Sequence, residues 1–201
     1  HAKIKSIEKN VSGTIKESIP DLGENKCSVN LASALIKRDR FELMLEKATE
    51  LGVNEIQPLT LERCVKKTMN FERSQKIVIS SAKQCCRSRF PILHEPIDIK
   101  KLLKNFDKNK IDFVIVNGEN AAKEGVGITE EITNNLFDCG VNVITTGNHV
   151  WDQKETSKHI EKENRLLRPE NLTQVSPGKG FGIYKTKNGL KVGVLNLMGN
   201  I

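Results

Sequence analysis

Two short runs carry the chemistry of this chain, Asn117-Gly118-Glu119-Asn120 and Gly147-Asn148-His149. Each directly follows an apolar run of the kind that forms a buried parallel strand, residues 111–116 before the first and 141–146 before the second. The loops beyond the carboxyl ends of such strands are where an open α/β sheet holds a catalytic site. The residue types suit phosphoester hydrolysis by a metal pair, in which oxygen and nitrogen ligands hold two cations roughly 3.5–4 Å apart and a bridging hydroxide attacks phosphorus in line. Glu119 can bridge two cations, Asn148 can give an amide oxygen to one of them, and His149 can donate a proton to the leaving oxygen. Gly118 and Gly147 permit the tight turns. Either triplet alone is ordinarily a plain turn; two of them after consecutive parallel strands make a site.

The elements that must position these groups can be read from periodicity. A helix over 128–139 ends at Gly140 and joins the two strands into a βαβ unit whose first strand, 111–116, is central. A further helix is expected over 153–163. Residues 181–187, Asn188-Gly189 and 190–198 form a hairpin, with Asn-Gly suited to a primed two-residue turn. Upstream, residues 2–19 alternate apolar and polar (Ile4, Ile7, Val11, Ile15, Ile19) around Gly13, as the end of a small β unit does, and 20–25 reads as a polar linker. A helix over 39–51 places Phe41, Met44, Leu45, Ala48 and Leu51 on one stripe, and Gly52 can stop it in the left-handed conformation. A strand follows at 53–59. The next helix, 71–87, buries Ile77, Val78, Ser81, Ala82 and Cys85 and leaves Lys83, Arg87 and Arg89 outside. One more helix is expected over 97–106, and polar residues 107–110 then separate two segments of different character.

Composition bounds the function. With 201 residues, 37% apolar and 4% aromatic, the chain can build a modest core in one or two domains. No stretch approaches the roughly 20 apolar residues of a membrane span, and residues 1–3 show no signal-peptide pattern, so a cytosolic protein without a membrane partner is expected. The chain opens on a histidine and stops after a strand-like run, which reads as a fragment. The whole formal +7 belongs to residues 1–105, which hold 20 Lys+Arg against 13 Asp+Glu; the remainder holds 12 against 12. A basic surface of this kind favours polyanions through counterion release. The five cysteines (Cys27, Cys64, Cys85, Cys86, Cys139) contain no C-x-x-C pair and no zinc-ligand spacing, and the Cys85-Cys86 pair reads as inert helix core.

The second segment resembles the YmdB-type calcineurin-like metallophosphoesterases. The likeness rests on residues 111–122, on Val143-Ile144-Thr145-Thr146-Gly147-Asn148-His149-Val150-Trp151-Asp152, on Leu166-Leu167-Arg168-Pro169-Glu170-Asn171, and on the closing run 192–199. The resemblance implies a phosphodiesterase acting on cyclic nucleotides with two divalent metal ions, iron or manganese, in an αββα sandwich. It implies Glu119 as bridging ligand, Asn120 as a neighbouring site residue, Asn148 as ligand to the second metal and His149 as catalytic histidine. The family's opening Gly-Asp-x-x-Gly motif, whose aspartate binds the first metal, does not precede Asp107, and its later metal-binding histidines are not among residues 150–201. His159 lies within a helix pattern and reads as a packing residue. Full binding of two metals is therefore not expected.

The first segment resembles the RsmE-type SPOUT methyltransferases, which use S-adenosylmethionine to methylate N3 of a uridine in 16S ribosomal RNA. The signature is residues 47–59, Glu62-Arg63, and Ala82-Lys83-Gln84-Cys85-Cys86-Arg87-Ser88-Arg89 with Pro91. The resemblance makes residues 1–25 the tail of an RNA-binding β domain and residues 26–105 a partial methyltransferase domain. It implies RNA contact through Arg63, Arg87 and Arg89, with Glu50 and Gln84 in positioning roles. The Pro-Glu-Gly-Gly and Leu-Gly-x-x-Ile-Leu-Arg motifs of the cofactor knot do not occur in the chain, so an S-adenosylmethionine site is not expected.

The fold expected is thus α/β in two incomplete segments: a partial SPOUT methyltransferase unit, then at 107–201 the N-terminal half of a metallophosphoesterase sandwich, joined near 104–110. Three functional readings follow. The chain is a phosphodiesterase fragment inactive as it stands, an RNA-binding module that does not methylate, or a junction product with no function of the whole. Half-domains of about 100 residues have little surplus burial to offset chain entropy, which favours the third reading and predicts marginal stability.

Overall fold

The computed structural model describes residues 2–7, 11–64, 66–104, 111–173 and 175–199. The chain divides into two compact units, His1–Leu102 and Leu103–Ile201. Most of the expected joint at 104–110, and Phe106 with it, lies outside the described residues.

In the first unit an antiparallel hairpin, β1 (Ala2–Ile7) and β2 (Val11–Ile15), comes first. Then follow β3 (Asn30–Ala34), α1 (Arg38–Glu50), β4 (Glu55–Thr60), α2 (Phe71–Gln84), the two-residue strands β5 (Ile92–Leu93) and β6 (Ile97–Asp98), and α3 (Ile99–Leu103). β4 is the centre of a parallel sheet and pairs with β3, β5 and β6. The α1 stripe closes one side: Phe41, Leu45 and Ala48 are buried with Val53, Ile56 and Val78, each large side chain contributing about 1.5–3 kcal/mol by its removal from water. Gly52 ends α1 at φ +89°, in the left-handed region where a Cβ is costly. Asn70 caps α2 by accepting from the Arg73 N–H.

Several expectations for this unit are corrected. Among the described residues the helix expected over 97–106 is the five residues of α3, and residues 97–98 pair with β4 instead. α1 keeps Leu51 out of its stripe, 78% exposed just past the helix end. Cys85 and Cys86 are exposed, not core, since α2 stops at Gln84 and the chain turns through Cys86 at φ +59°. Residues 20–25 are not a free linker: Asp21 and Gly23 form a left-handed turn that delivers Glu24 into the body of the unit, where its side chain is 6% exposed.

The second unit is a parallel sheet in the order β7 (Ile115–Asn117), β8 (Val143–Thr145), β9 (Leu166–Leu167). α4 (Glu130–Asp138) connects the first two strands; a 3-10 turn (Asn148–Trp151) and α5 (Thr156–Lys162) connect the next two. Thr129 caps α4 by accepting from the Ile132 N–H. Ile128, Val141, Ile144, Val150, Ile160 and Leu166 form the core on the helical side. On the other face Val143 and Leu167 pack with Val194 of the hairpin β10 (Phe181–Lys185) and β11 (Lys191–Leu195).

Here β7 is shorter than 111–116 and stands at the edge of the sheet among the described residues, which leaves Ile115 49% exposed; β8 is the central strand. The helix expected over 153–163 begins only at Thr156. The hairpin does not use a two-residue primed turn. The Gly189 N–H donates to Thr186 O, and of the loop residues Gly189 alone has positive φ, whereas type I′ requires it at both central positions.

Candidate functional site

The site in the second unit is assembled by backbone geometry at the carboxyl ends of β7 and β8. β7 ends at Asn117, whose Oδ1 accepts the Glu119 N–H at 3.0 Å, a side-chain turn that fixes where the glutamate emerges. The Gly118 N–H donates to Thr145 O at 2.8 Å, and a Cβ at Gly118 would sit 2.8 Å from Ile128 Cδ1 and 3.0 Å from Ile144 Cγ2. A side chain here would have to push aside core atoms of Ile128 and Ile144. The Glu119 carboxylate lies across Gly147 so closely that a Cβ there would overlap it. Its Oε1 accepts the Asn148 N–H at 3.1 Å. Sequence neighbours of two different strands thus meet at one rim of a cleft of about 370 Å³, lined by Asn117, Glu119, Gly147, Asn148, Asn196 and Met198 among others.

The four candidates do not all reach this cleft. Glu119 and Asn148 line it. Asn120 is exposed, bridges through its backbone to Gly127, and is not among the lining residues. His149 lies on the 3-10 turn beside the cleft, where its Nδ1 is 2.7 Å from Asp152 Oδ2. That contact leaves Nε2 as the nitrogen for chemistry. Among the described residues no group of three or more His, Cys, Asp or Glu side chains converges as a metal site. One carboxylate with amide oxygens is a hard-donor set, but it does not fit a pair of cations.

In the first unit Arg63 and Arg89 are exposed, and Arg89 pairs with Asp21 at 2.7 Å on the surface. Arg87 is the correction. Its side chain is 3% exposed; Nε and Nη2 donate to Glu24 Oε2, and Nη1 donates to Thr49 O and Val53 O. With its guanidinium spent on the end of α1 and on a buried carboxylate, it is not a surface for RNA. Glu24 also accepts from Ser88 Oγ and the Arg89 N–H. The bond from Arg87 holds its carboxyl down at about 2, against an opposing cost of burial. Glu50 pairs with Lys47 on the outside of α1, and Gln84 is exposed.

Sequence reasoning missed Asp152, Asn196 and Glu24. Asp152 stands three residues after His149 and could have been found as its orienting carboxylate. Asn196 is a polar residue in the apolar run 192–198; it is 8% exposed and donates to Thr146 O and Leu167 O. A buried polar side chain needs partners, which is the signal it offered. Glu24 gave no local sign.

Comparisons with known proteins match two families along the chain. The family described as YmdB-like protein matches residues 97–201, and the RNA methyltransferase domain family matches residues 23–147. Both matches include residues 97–147, which contain β7, α4 and β8. A 2',3'-cyclic-nucleotide 2'-phosphodiesterase of Bacillus subtilis (strain 168) is 46% identical over 92 residues, 46% of this chain and 34% of the relative. The chain therefore spans about a third of that protein. A ribosomal RNA small subunit methyltransferase E of Rickettsia conorii is 30% identical over 176 residues, 84% of this chain and 70% of the relative. In fold, the chain is similar to the crystal structure of a ribosomal RNA small subunit methyltransferase E from Neisseria gonorrhoeae bound to S-adenosyl methionine, with a TM-score of 0.55 at 24% identity over 73% of this chain and 69% of that one. A methyltransferase-like segment with its sheet on β4, followed by a phosphodiesterase-like segment with its cleft at Glu119, means that this chain belongs to both the RNA methyltransferase domain family and the YmdB-like family.

Proposed function

We propose that the second unit is the phosphodiesterase part of the chain, with a cleft that receives a phosphodiester of the cyclic-nucleotide type. Glu119 and Asn148 are its metal-facing residues, Asn120 stands beside them, and His149 is the proton donor. The observation that carries this reading is the Asn148 N–H bond to Glu119 across Gly147, which draws residues 29 apart in sequence to one rim. Asp152 keeps the His149 imidazole oriented, with Nε2 free for the leaving oxygen. The substrate class follows the name of the Bacillus subtilis relative. Because the donors do not fit two cations, no step through a metal pair is assigned and turnover by this chain as it stands is not expected.

The test uses the full chain and 2',3'-cyclic AMP, with diamagnetic Mg²⁺ for the amide shifts and Mn²⁺ for the hydrolysis assay. Backbone amide shifts on titration should change at residues 118–119 and 147–149, while hydrolysis should stay at the level of a His149→Ala variant. Shifts elsewhere and none at these positions would refute the cleft as the binding site. Hydrolysis that vanishes in His149→Ala would overturn the expected inactivity.

A second reading concerns the first unit, which carries the whole net positive charge and exposes Arg63 and Arg89. It holds ribosomal RNA without methylating it, since the knot motifs that would bind S-adenosylmethionine do not occur in the sequence. Affinity for ribosomal RNA that does not fall as salt rises would refute this electrostatic account.

A further inference from the structure

Cys85 and Cys86 stand next to each other in the chain with both thiols free and exposed, and neither functional reading gives them a role. They form the turn that ends α2. Cys85 is the cap, its N–H on Ser81 O at 3.0 Å; the Cys86 N–H donates to Lys83 O at 3.3 Å and the Arg87 N–H to Ala82 O at 3.0 Å. This pair of bonds is a Schellman ending, whose left-handed position ordinarily takes glycine. Here the position is Cys86, at φ +59°, where a side chain costs roughly 1–2 kcal/mol. The turn is gripped on both sides, by α2 before it and by Arg87 after it, whose guanidinium is fastened to Glu24, Thr49 O and Val53 O. Two nucleophilic side chains are thus held on one fixed turn and open to solvent.

Their spacing decides what they can take. The α-carbons of consecutive residues are about 3.8 Å apart across a trans peptide, below the roughly 4.4–6.8 Å that a disulfide spans. Closing the two sulfurs directly onto each other is therefore strained, and the pair is kept as a dithiol. An atom placed between the sulfurs enlarges the ring and lets both side chains stay in staggered rotamers. Among the described residues no group of three or more His, Cys, Asp or Glu side chains gathers here or elsewhere, so the bridging atom must be satisfied by two sulfurs. Tetrahedral zinc, which takes three or four protein ligands, is not. Trivalent arsenic that carries one organic group has two valences for sulfur and is.

We propose that Cys85 and Cys86 form a dithiol site that captures monosubstituted trivalent arsenicals. With an organoarsenic oxide, both S–H bonds and the As=O bond break, two As–S bonds form, and the two protons leave with the oxygen as one water; nothing is oxidised or reduced. Two sulfurs on one turn act at high effective concentration, so the bridged product holds about a hundredfold or more tighter than arsenic on a single thiol. Cys27, Cys64 and Cys139 each have no cysteine beside them in the chain. The site is independent of the cleft at Glu119 and of RNA contact.

The test exposes the reduced full chain to phenylarsine oxide in excess mercaptoethanol, which strips arsenic from single thiols, and reads the product by intact mass. One arsenical per chain is expected, released by dimercaptopropanol. Cys86→Gly removes one sulfur and gives the turn the residue it favours, so it should fold at least as well as the parent while its affinity for the arsenical falls about a hundredfold or more. Cys85→Ser should lose it as well, and Cys27→Ser and Cys139→Ser should keep it in full. No retention by the parent, full retention in Cys86→Gly, or loss in Cys27→Ser or Cys139→Ser would each overturn the proposal. Glutathione disulfide probes the spacing argument separately. It should leave the parent with a mixed disulfide to glutathione, and a peptide map showing Cys85 joined to Cys86 would refute the claim that the pair is kept as a dithiol.

Discussion

Glu24 in the first unit and Glu119 in the second are both carboxylates delivered by a turn onto a backbone N–H, and they end in opposite states. Glu24 accepts from the Arg87 guanidinium, the Ser88 hydroxyl and the Arg89 N–H, and is closed from water. Among the described residues Glu119 accepts one N–H, has no partner on its second oxygen, and borders a cleft. The same functional group is thus a fastening in one place and a candidate ligand in the other. What separates them is how much of the oxygen's bonding capacity the fold consumes.

The difference should be largest in stability. Removing one partner of a buried, hydrogen-bonded ion pair leaves the other charge stranded, so Arg87→Ala should cost about 3–5 kcal/mol in urea unfolding. Glu24→Gln should be costly and Glu119→Gln close to neutral, within about 0.5 kcal/mol. Equal losses in the last two variants would erase the comparison.

Acid sharpens it further. The Glu24 carboxyl lies at about 2 in the folded chain against an ordinary 4.5. Its contribution is therefore fully present above about pH 4.5 and is lost as pH falls toward 2. Stability measured from pH 6 down to pH 3 should drop less steeply in Glu24→Gln than in the parent.

Gly147→Ala comes next, at about 1 kcal/mol, because its methyl group would displace only the far end of the flexible Glu119 side chain. The Asn148 amide resonance should move with it, and an unmoved resonance would show that the carboxylate does not depend on this glycine. The smallest effects belong to the surface arginines. Arg89→Ala should change stability by less than about 1 kcal/mol, since its pair with Asp21 is exposed, while lowering the salt dependence of RNA binding by roughly one unit of slope. A larger loss of stability than of RNA affinity would place Arg89 with Arg87.

The pattern of what was legible follows from the range of the interactions. The α1 stripe, the βαβ order and the rims at Glu119 and Asn148 were readable because periodicity and turn chemistry are local. Arg87 was misplaced because its partners are Glu24, Thr49 and Val53, and nothing within the Ala82–Arg89 stretch announces a carboxylate 63 residues earlier. Cys85 was misplaced by the end of α2, where a small shift turns a core position into a surface one. The hairpin was found but its turn was not, since Asn-Gly also suits a loop in which the glycine alone is left-handed. Asp152 was within reach of a spacing argument, and Asn196 needed the fold.

The Glu24 fastening also determines where the polypeptide can be divided. A chain begun at residue 26, the boundary that composition suggests, would discard the glutamate and leave Arg87 enclosed beside two carbonyl oxygens with no counter-charge. A chain begun at residue 20 would shed the β1–β2 hairpin yet keep the Asp21–Gly23 turn and the ion pair together. The smallest autonomous portion of the first unit therefore starts inside the apparent linker, and protease trimming should come to rest before Asp21, not after Asn25.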